Sequence, residues 1–226
     1  MPSIIEVDTI KNKTGTQNTV LSTDGSGNVT IANSTFNGAI ASTATGTFSG
    51  TIGSNATFPA GHVLQVLTQQ VSSNSITVSC ISGDFATVPT IQQAITPSST
   101  SSKILVLVFI GAFDFSSTNY GLAGMGVFQR KIASGSFTDI GTGTGNTVFN
   151  GTFSMAQPTN NQYYNGPGMA QCIDEPNTTS ECTYGIGVAD HNNGTATFYL
   201  NRKNQQDDYP SNGYFSSSLT VMEIAG

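Results

Sequence analysis

The chain has 226 residues, of which only 9% are charged, and its 7 Lys+Arg stand against 13 Asp+Glu for a formal net charge of −6. The few basic residues form no cluster, so the basic stripe that a nucleic-acid-binding protein needs is missing. The abundance of Ser, Thr, Asn and Gly favours turns and strand surfaces over helix interiors.

The N-terminus lacks the basic and apolar regions of a signal peptide. The longest apolar run, residues 104–113, is roughly half as long as a membrane-spanning helix. The sequence therefore predicts a soluble protein made in a cytoplasm, with no membrane insertion and no nucleic-acid partner.

Residues 1–13 place two acids and two lysines among four isoleucines and valines. Such a segment is too short to fold alone, so its apolar residues need another surface. It is either a docking peptide or the first strand of a stem built from several chains.

From Thr14 to Gly83 the only charged side chain is Asp24. Within this region, residues 20–31 have the pattern of a strand, an Asp-Gly turn and a second strand. A loose motif then recurs as TFNG (35–38), TFSG (47–50) and TFPAG (57–61), with its phenylalanines 12 and then 10 residues apart. A repeat of this size is one short strand plus a turn, which buries too little surface to be stable alone.

Two interpretations of this repeat stay open. Composition alone is typical of a flexible Ser/Thr/Gly linker. A linker does not need a regularly placed aromatic residue, however, whereas three packed copies could point Phe36, Phe48 and Phe58 at a common axis. We therefore favour a trimeric β stem.

From Gly61 onward the chain has about ten apolar runs of strand length separated by turn residues. The run at 104–110 has no polar face, so it predicts a central strand covered on both sides. Pro89 indicates an edge or a strand start. Many short strands and long polar loops predict a jelly-roll-type β-sandwich. The predicted strands are 63–71 and 76–81 (as a hairpin), 88–95, 104–110, 124–132, 147–155, 168–173, 182–190, 196–200 and 215–224.

The three cysteines cannot all pair within one chain. Cys80 alternates with apolar residues, so its thiol should lie on the buried face of a strand. Cys172 and Cys182 flank an acidic loop and could be neighbours across a hairpin. A disulfide between them stays open, although cytoplasmic synthesis argues against it.

The sequence offers no catalytic constellation. His62 and His191 are the only histidines, so one chain cannot form a multi-histidine metal site. His62 is expected to be a hydrogen-bonded structural residue, although three copies on an axis could bind an ion. His191 follows Asp190 in what we interpret as a polar hairpin loop, without the elbow motif of a serine hydrolase. We expect no catalytic residue, no metal and no cofactor.

Two adjacent acid pairs, Asp174-Glu175 and Asp207-Asp208, raise the question of glycosidase chemistry. Adjacent residues on a strand point to opposite sides, so we interpret both pairs as solvated loop charges.

Two polar loops, residues 160–167 and 201–210, contain tyrosines that we expect to be exposed. Exposed tyrosines pack on sugars or proteins at low entropic cost. Ordinary surface loops would have the same composition, and this alternative has equal weight. As a receptor-binding surface the candidate residues are Tyr163, Tyr164, Asn165, Arg202, Asp207, Asp208 and Tyr209.

Four segments resemble the fibre proteins of tailed bacteriophages, particularly those of marine and cyanobacterial hosts: IIEVDTI (4–10), LSTDGSGNVTI (21–31), FPAGHVLQV (58–66) and SSLTVMEIAG (217–226). The resemblance implies a homotrimer, an N-terminus bound to another virion protein, and a distal head that is similar to a tumour-necrosis-factor or C1q jelly roll and contacts a host-surface glycan or protein.

On this basis the expected protein is a non-enzymatic virion fibre, assembled on a phage tail or capsid in the host cytoplasm. Its segments would be a docking segment (1–18), a repetitive stem (19–60) and a head (61–226). The alternatives are a capsid decoration or cement protein and, third, a polysaccharide depolymerase.

Overall fold

In the computed structural model of the chain, the structure describes residues 10–11, 19–23, 29–30, 58–73, 75–81, 83–117, 123–143, 151–156, 166–190, 195–202 and 215–226. The chain divides into two compact units, Met1–Ser54 and Asn55–Gly226. Every element among these residues is a strand, which confirms the expected all-β class. None of them forms a helix long and apolar enough to cross a membrane.

The described residues of the first unit form three short strands, β1 (Ile10–Lys11), β2 (Thr19–Thr23) and β3 (Val29–Thr30). Strand β2 pairs antiparallel with β3, placing Ser22 opposite Thr30, so the strand–turn–strand pattern of residues 20–31 is confirmed. Strand β1 pairs with β2 of the same chain. Phe36 and Phe48, two of the candidate axial residues, lie outside the described residues.

The second unit, which we call the head, is a β-sandwich whose strands agree closely with those expected from the apolar runs. Three differences stand out. Strand β7 continues to Ser117 instead of ending at residue 110, the three-residue β9 is too short to leave an alternating pattern, and β10 begins six residues later than predicted, next to residues that the structure does not describe. The strands are β4 (Val63–Val71), β5 (Thr77–Ile81), β6 (Ala86–Ile95), β7 (Lys103–Ser117), β8 (Ala123–Ile132), β9 (Thr138–Ile140), β10 (Phe153–Ala156), β11 (Gly166–Asp174), β12 (Cys182–Asp190), β13 (Thr195–Leu200) and β14 (Ser217–Ile224).

Two antiparallel sheets share the eight principal strands of the head. One sheet has the order β4-β14-β7 with β11 on the far edge of β7, and the other has the order β6-β12-β8-β10. Strands β13 and β14 both pair with the same edge of β7, β14 with its first half and β13 with its last residues. Strand β5 pairs with β13, and β9 pairs with β8. Successive strands cross repeatedly between the sheets, which is the arrangement of a jelly roll.

The core lies between the two sheets because alternate residues of each strand face inward. In β14, Leu219, Val221 and Glu223 are buried while their neighbours are half-buried. In β7 the inward set runs from Ile104 to Ile110, and a register shift against β11 then reverses the alternation, so Phe113 and Phe115 face the core.

Two expectations about the head are wrong. Strands β4 and β5 form no hairpin, because β4 pairs with β14 and β5 with β13. The head covers only one face of β7, since Leu105 and Leu107 are half-buried and Phe109 is 42% exposed on the other. Strand β6, in contrast, pairs only with β12 among the described strands, as Pro89 indicated for an edge.

The chain enters the head through a tight turn before β4. Gly61 has φ +90°, a conformation that favours glycine. The His62 backbone N–H donates to Pro59 O, and the His62 ring contacts the same oxygen through Nδ1 at 3.1 Å. Gly61 N also donates to Ala225 O. The turn is therefore tied to the C-terminal residues of the head, and His62 has the structural role expected of it.

Candidate functional site

The strand register brings the anchors of both candidate binding loops to one end of the head. Gly166 lies at the end of the first loop (residues 160–167), and Leu200 lies just before the second (residues 201–210). The two residues pair with Phe113 from opposite sides. These anchors are therefore about 10 Å apart, or two strand spacings.

The turn before β4 (residues 58–62), which we call the neck, lies at the other end of the same strand. Lys103 at the start of β7 pairs with Ile224, which in turn pairs with Val63, the first residue after the neck. Phe113 is ten residues further along β7, or about 30 Å at the rise of a strand. The candidate loops therefore leave the head at the end opposite the neck.

A polar cluster lies beside these anchors on the outer face of the sheet. Tyr199 points outward because Phe198 and Leu200 point into the core, and it is paired in register with Asp114. The Arg202 guanidinium stacks on the Tyr199 ring at 4.8 Å, while Asp114 is only 2% exposed. The half-buried aromatic face and its adjacent cation can bind polar rings such as sugars, or protein side chains, whereas the buried Asp114 carboxylate is not accessible to a ligand.

Asn201 fixes the backbone under this cluster. It is fully buried with φ 60°, and its side-chain amide donates to Val71 O at 2.8 Å and to Ser73 O at 3.2 Å. The Ser217 hydroxyl donates to Asn201 Oδ1 at 2.6 Å. One side chain thus joins the ends of β13, β4 and β14, and it sets the position of Arg202.

Asn201→Ala is expected to destabilise the head by about 2–3 kcal/mol, because several buried hydrogen-bonding groups lose their partner and alanine tolerates this φ poorly. Denaturant unfolding of the full chain measures the loss. Asn201→Gly is the matched control, since glycine adopts the same φ freely and removes only the hydrogen bonds. Equal stability of wild type and Asn201→Ala would contradict the role assigned to Asn201.

Of the receptor-binding candidates, the structure describes only Arg202. Tyr163, Tyr164, Asn165, Asp207, Asp208 and Tyr209 lie outside the described residues, as does His191, so their roles stay predictions. Asp114, Tyr199 and Asn201 were not among the predicted site residues. The alternation of apolar and polar residues in β13 could have placed Tyr199 on the outward face of its strand. Asp114 and Asn201, in contrast, depend on strand pairing that the sequence does not display.

A second polar cluster lies inside the sandwich and corrects the interpretation of Asp174 as a solvated loop charge. Asp174 ends β11, is 9% exposed, and accepts hydrogen bonds from Arg130 Nη1 at 2.7 and 2.8 Å and from the Tyr184 hydroxyl at 2.7 Å. Glu175 points to the opposite side, as adjacent strand residues should, and pairs with Lys103 at 2.8 Å.

The charges in this cluster shift the pKa values of its members. Burial opposes the Arg130 charge, but the hydrogen bond and negative charge of Asp174 outweigh it and raise the arginine pKa. Burial first, and then the bond to Asp174, raises the pKa of Tyr184 well above its ordinary value. Tyr184 therefore stays a neutral donor and Arg130 stays charged, as a structural ion pair requires.

All three cysteines are free thiols. Cys80 is fully buried, which confirms its expected place on an apolar strand face. Cys172 and Cys182 are not neighbours across a hairpin, because β11 and β12 belong to different sheets. Burial raises the pKa of Cys80 to about 11 and that of Cys172 to about 12, so neither is an activated nucleophile.

A polar groove of about 360 Å³ opens between the edge strands β4 and β6. Its lining includes side-chain amides and hydroxyls of Gln69, Gln70, Ser72, Thr90 and Gln92. These groups can hydrogen-bond a neutral ligand but carry no charge for acid–base chemistry. Within the described parts of the chain, no group of three or more His, Cys, Asp or Glu side chains is placed to hold a metal ion.

The fold defines this chain as a jelly-roll β-sandwich protein. No protein-family model matches it, and no curated protein matches it in sequence.

Among solved structures it is similar to the VP2 subviral particle of infectious bursal disease virus, with 10% identity, a TM-score of 0.32, and coverage of 71% of this chain and 38% of that chain. The Gt strain of the same virus gives 10% identity and 0.29, with 80% and 43% coverage. The Gx strain gives 8% and 0.30, with 79% and 47% coverage. The matched region spans less than half of those chains, and a likeness of this size carries no argument about activity.

Proposed function

We propose that this chain is a non-enzymatic structural protein of a virion, a homotrimeric phage fibre bound to the particle by its N-terminus and to the host surface by its head. The observation that carries the proposal is the polarity of the head. The neck lies at the Lys103 end of β7. The residues that flank the candidate binding loops pair with Phe113, about 30 Å further along the strand. A fibre needs this arrangement, since attachment and recognition must lie at opposite ends.

The polar cluster supports a binding role for that end. Tyr199 and Arg202 are half-buried side chains on the outer surface, and their backbone is fixed by Asn201. Preorganised side chains lose little entropy when a ligand binds. The occupant is a host-surface glycan or protein, and the loops that contain Tyr163 and Asp207 would extend the contact.

The position of the protein on intact particles tests this assignment against the alternatives. Antibody to the head, viewed by low-resolution imaging, should label the tip of a fibre. Uniform labelling of the shell would instead identify a capsid decoration protein. Shortened host polysaccharide after incubation with the purified chain would identify a depolymerase.

Phe58→Ser is expected to weaken the trimer at least about tenfold, because burying a phenylalanine stabilises by about 1.5–3 kcal/mol. Each head should stay folded, since Phe58 is 41% exposed and its ring lies 6.1 Å from that of His62. Sedimentation velocity measures the oligomer, and thermal unfolding measures the head.

Ile81→Ser is the matched control, because Ile81 is 51% exposed and lies on β5, away from the neck. It should leave the oligomer unchanged. A wild-type monomer at micromolar concentration would rule out the trimeric stem, and unfolded heads in the Phe58 variant would mean that the neck belongs to the core.

A further inference from the structure

The outer face of the sheet containing β4, β14, β7 and β11 has an apolar surface that the head leaves open. The register aligns one apolar residue from each strand in a single row: Ile173, Leu105, Met222 and Val66. Two rows further from the neck, Met169 lies opposite Phe109. We call these six residues the apolar face.

The exposure of the apolar face is high for such side chains. Met169 is 77% exposed, Ile173 60%, Val66 51% and Phe109 42%. Single exposed apolar residues are ordinary, but a contiguous group marks an interaction surface.

The outer face of the opposite sheet has a different character. There the Thr87 hydroxyl donates to Gln129, and the Gln129 amide donates to Asp139 at 2.9 Å. Lys131 covers the Phe137 ring at 5.3 Å. Gln129 itself is only 4% exposed. Polar and charged side chains therefore cover this outer face, whereas the described residues provide no such cover over the apolar face.

Charge is nearly absent from the apolar face and its margins. Near the apolar face, the outward-facing charged residues that the structure describes are Lys103 and Glu175, which pair with each other at the neck end, while Asp114, further along β7, is only 2% exposed. Hydroxyls and amides of Thr68, Thr220 and Gln171 lie in the row between the apolar ones. Methionine and phenylalanine in the centre, few charges and a polar rim are the composition of a protein–protein interface.

We propose that the apolar face is covered by a second copy of this chain, so that the heads of the fibre associate directly; this inference rests on the proposed homotrimer. The chain has a net charge of −6, and copies of it repel except where their surfaces are uncharged. The apolar surface also adjoins the neck, since Val63 is 55% exposed and the Phe58 ring is 41% exposed. Copies joined by their stems hold this corner of each head close together.

The dimensions fit such a contact. Four strands at about 4.8 Å spacing, and two two-residue steps along them, span about 14 by 13 Å. This area of about 190 Å² is an apolar centre, and the surrounding polar rows extend it toward the roughly 800 Å² that each partner contributes to a stable interface.

The test compares two double variants of the full chain. Met169→Glu with Ile173→Glu places charge on the apolar face at exposed positions, so the fold should be retained, and it should weaken association at least about tenfold. Thr90→Glu with Ser136→Glu adds the same charge at exposed positions elsewhere and should leave association unchanged. Sedimentation velocity over a range of concentrations measures both.

A second measurement reports where the contact lies. Maleimide labelling of Met169→Cys should be about tenfold slower in the oligomer than that of Thr90→Cys, with wild type as the blank for the three native thiols. Equal rates in an intact oligomer would overturn head association while leaving the stem trimer standing. Protection of Met169→Cys in a monomer would mean that the chain's own N-terminal residues cover the face. A freely labelled monomer at all concentrations would overturn both proposals.

Discussion

Asp174→Ala is expected to lower the free energy of unfolding of the head by about 3–5 kcal/mol, the cost of removing one member of a buried ion pair. Asp174 is the acceptor for both Arg130 and the fully buried Tyr184. Its loss leaves a charged guanidinium and a phenolic hydroxyl without their partner in low-dielectric surroundings. Equilibrium denaturation by urea measures the change as a lower transition midpoint.

Glu175→Ala is the matched control at the neighbouring position. Glu175 pairs with Lys103 on the surface, where both side chains are about half exposed or more, 48% for Lys103 and 60% for Glu175. Exposed pairs contribute little to stability because solvent screens them, so this variant should unfold almost as wild type does. Asp174→Asn keeps the shape but removes the charge, and should be intermediate. Similar losses in the Asp174→Ala and Glu175→Ala variants would refute a structural role for the buried pair.

Glu223→Ala is expected to cost about 3 kcal/mol, since hydrogen bonds to a charged group contribute about 1.5–3 kcal/mol each and several donors lose their acceptor together. Glu223 is 1% exposed. Its Oε1 accepts from the Ser98 backbone N–H, the Ser98 hydroxyl and the Ser102 hydroxyl, each at 2.6 Å, and its Oε2 accepts from the Gln65 amide at 2.7 Å. Urea denaturation at neutral pH measures the loss.

The same carboxylate should make stability depend on pH. Burial alone would raise its pKa, but the hydrogen bonds from Ser102, Ser98 and Gln65 together lower it from the ordinary value of 4.5. The unfolded chain therefore binds this proton more readily than the folded one. The contribution is fully present above about pH 4.5 and is lost as the pH falls through the lower, folded pKa.

Glu223→Gln isolates that dependence, because glutamine keeps the volume and most of the hydrogen bonds but does not titrate. Unfolding curves between neutral pH and about pH 3 should show a shallower loss of stability for this variant than for wild type. Parallel curves would mean that other carboxylates account for the acid response.

Much of the fold was predictable because it follows from local alternation. Strand β4 at Val63–Val71 and β12 at Cys182–Asp190 have the expected bounds, since a run of apolar residues bounded by turn residues has few other conformations. The Asp-Gly hairpin of the first unit was predictable for the same reason. The pairing of the strands could not be predicted in the same way. Thr68 contacts Thr220, 152 residues away, and no local pattern indicates that β4 pairs with β14 and not with β5.

The candidate site shows the same division. Arg202 was proposed from composition. The structure adds Tyr199, whose ring stacks on the Arg202 guanidinium, and Asn201, which fixes the backbone beside it. Asp174 was interpreted as a solvated loop charge because it is one of two adjacent acids, whose side chains point to opposite sides. The sandwich instead places it opposite Arg130, 44 residues earlier, and a buried charge is tolerated only where such a partner exists.

The sequence by itself determined that this protein is all-β, that a repetitive and nearly uncharged segment precedes a sandwich, and that a turn at Gly61 precedes the first strand of the sandwich. These features depend on residue type and spacing along the chain, which the sequence displays directly. Only the tertiary structure decided which strands are neighbours, that the neck and the candidate loops lie at opposite ends of β7, and that one face of that strand stays open. Those depend on register between distant segments, which is selected by the joint burial of side chains from many strands.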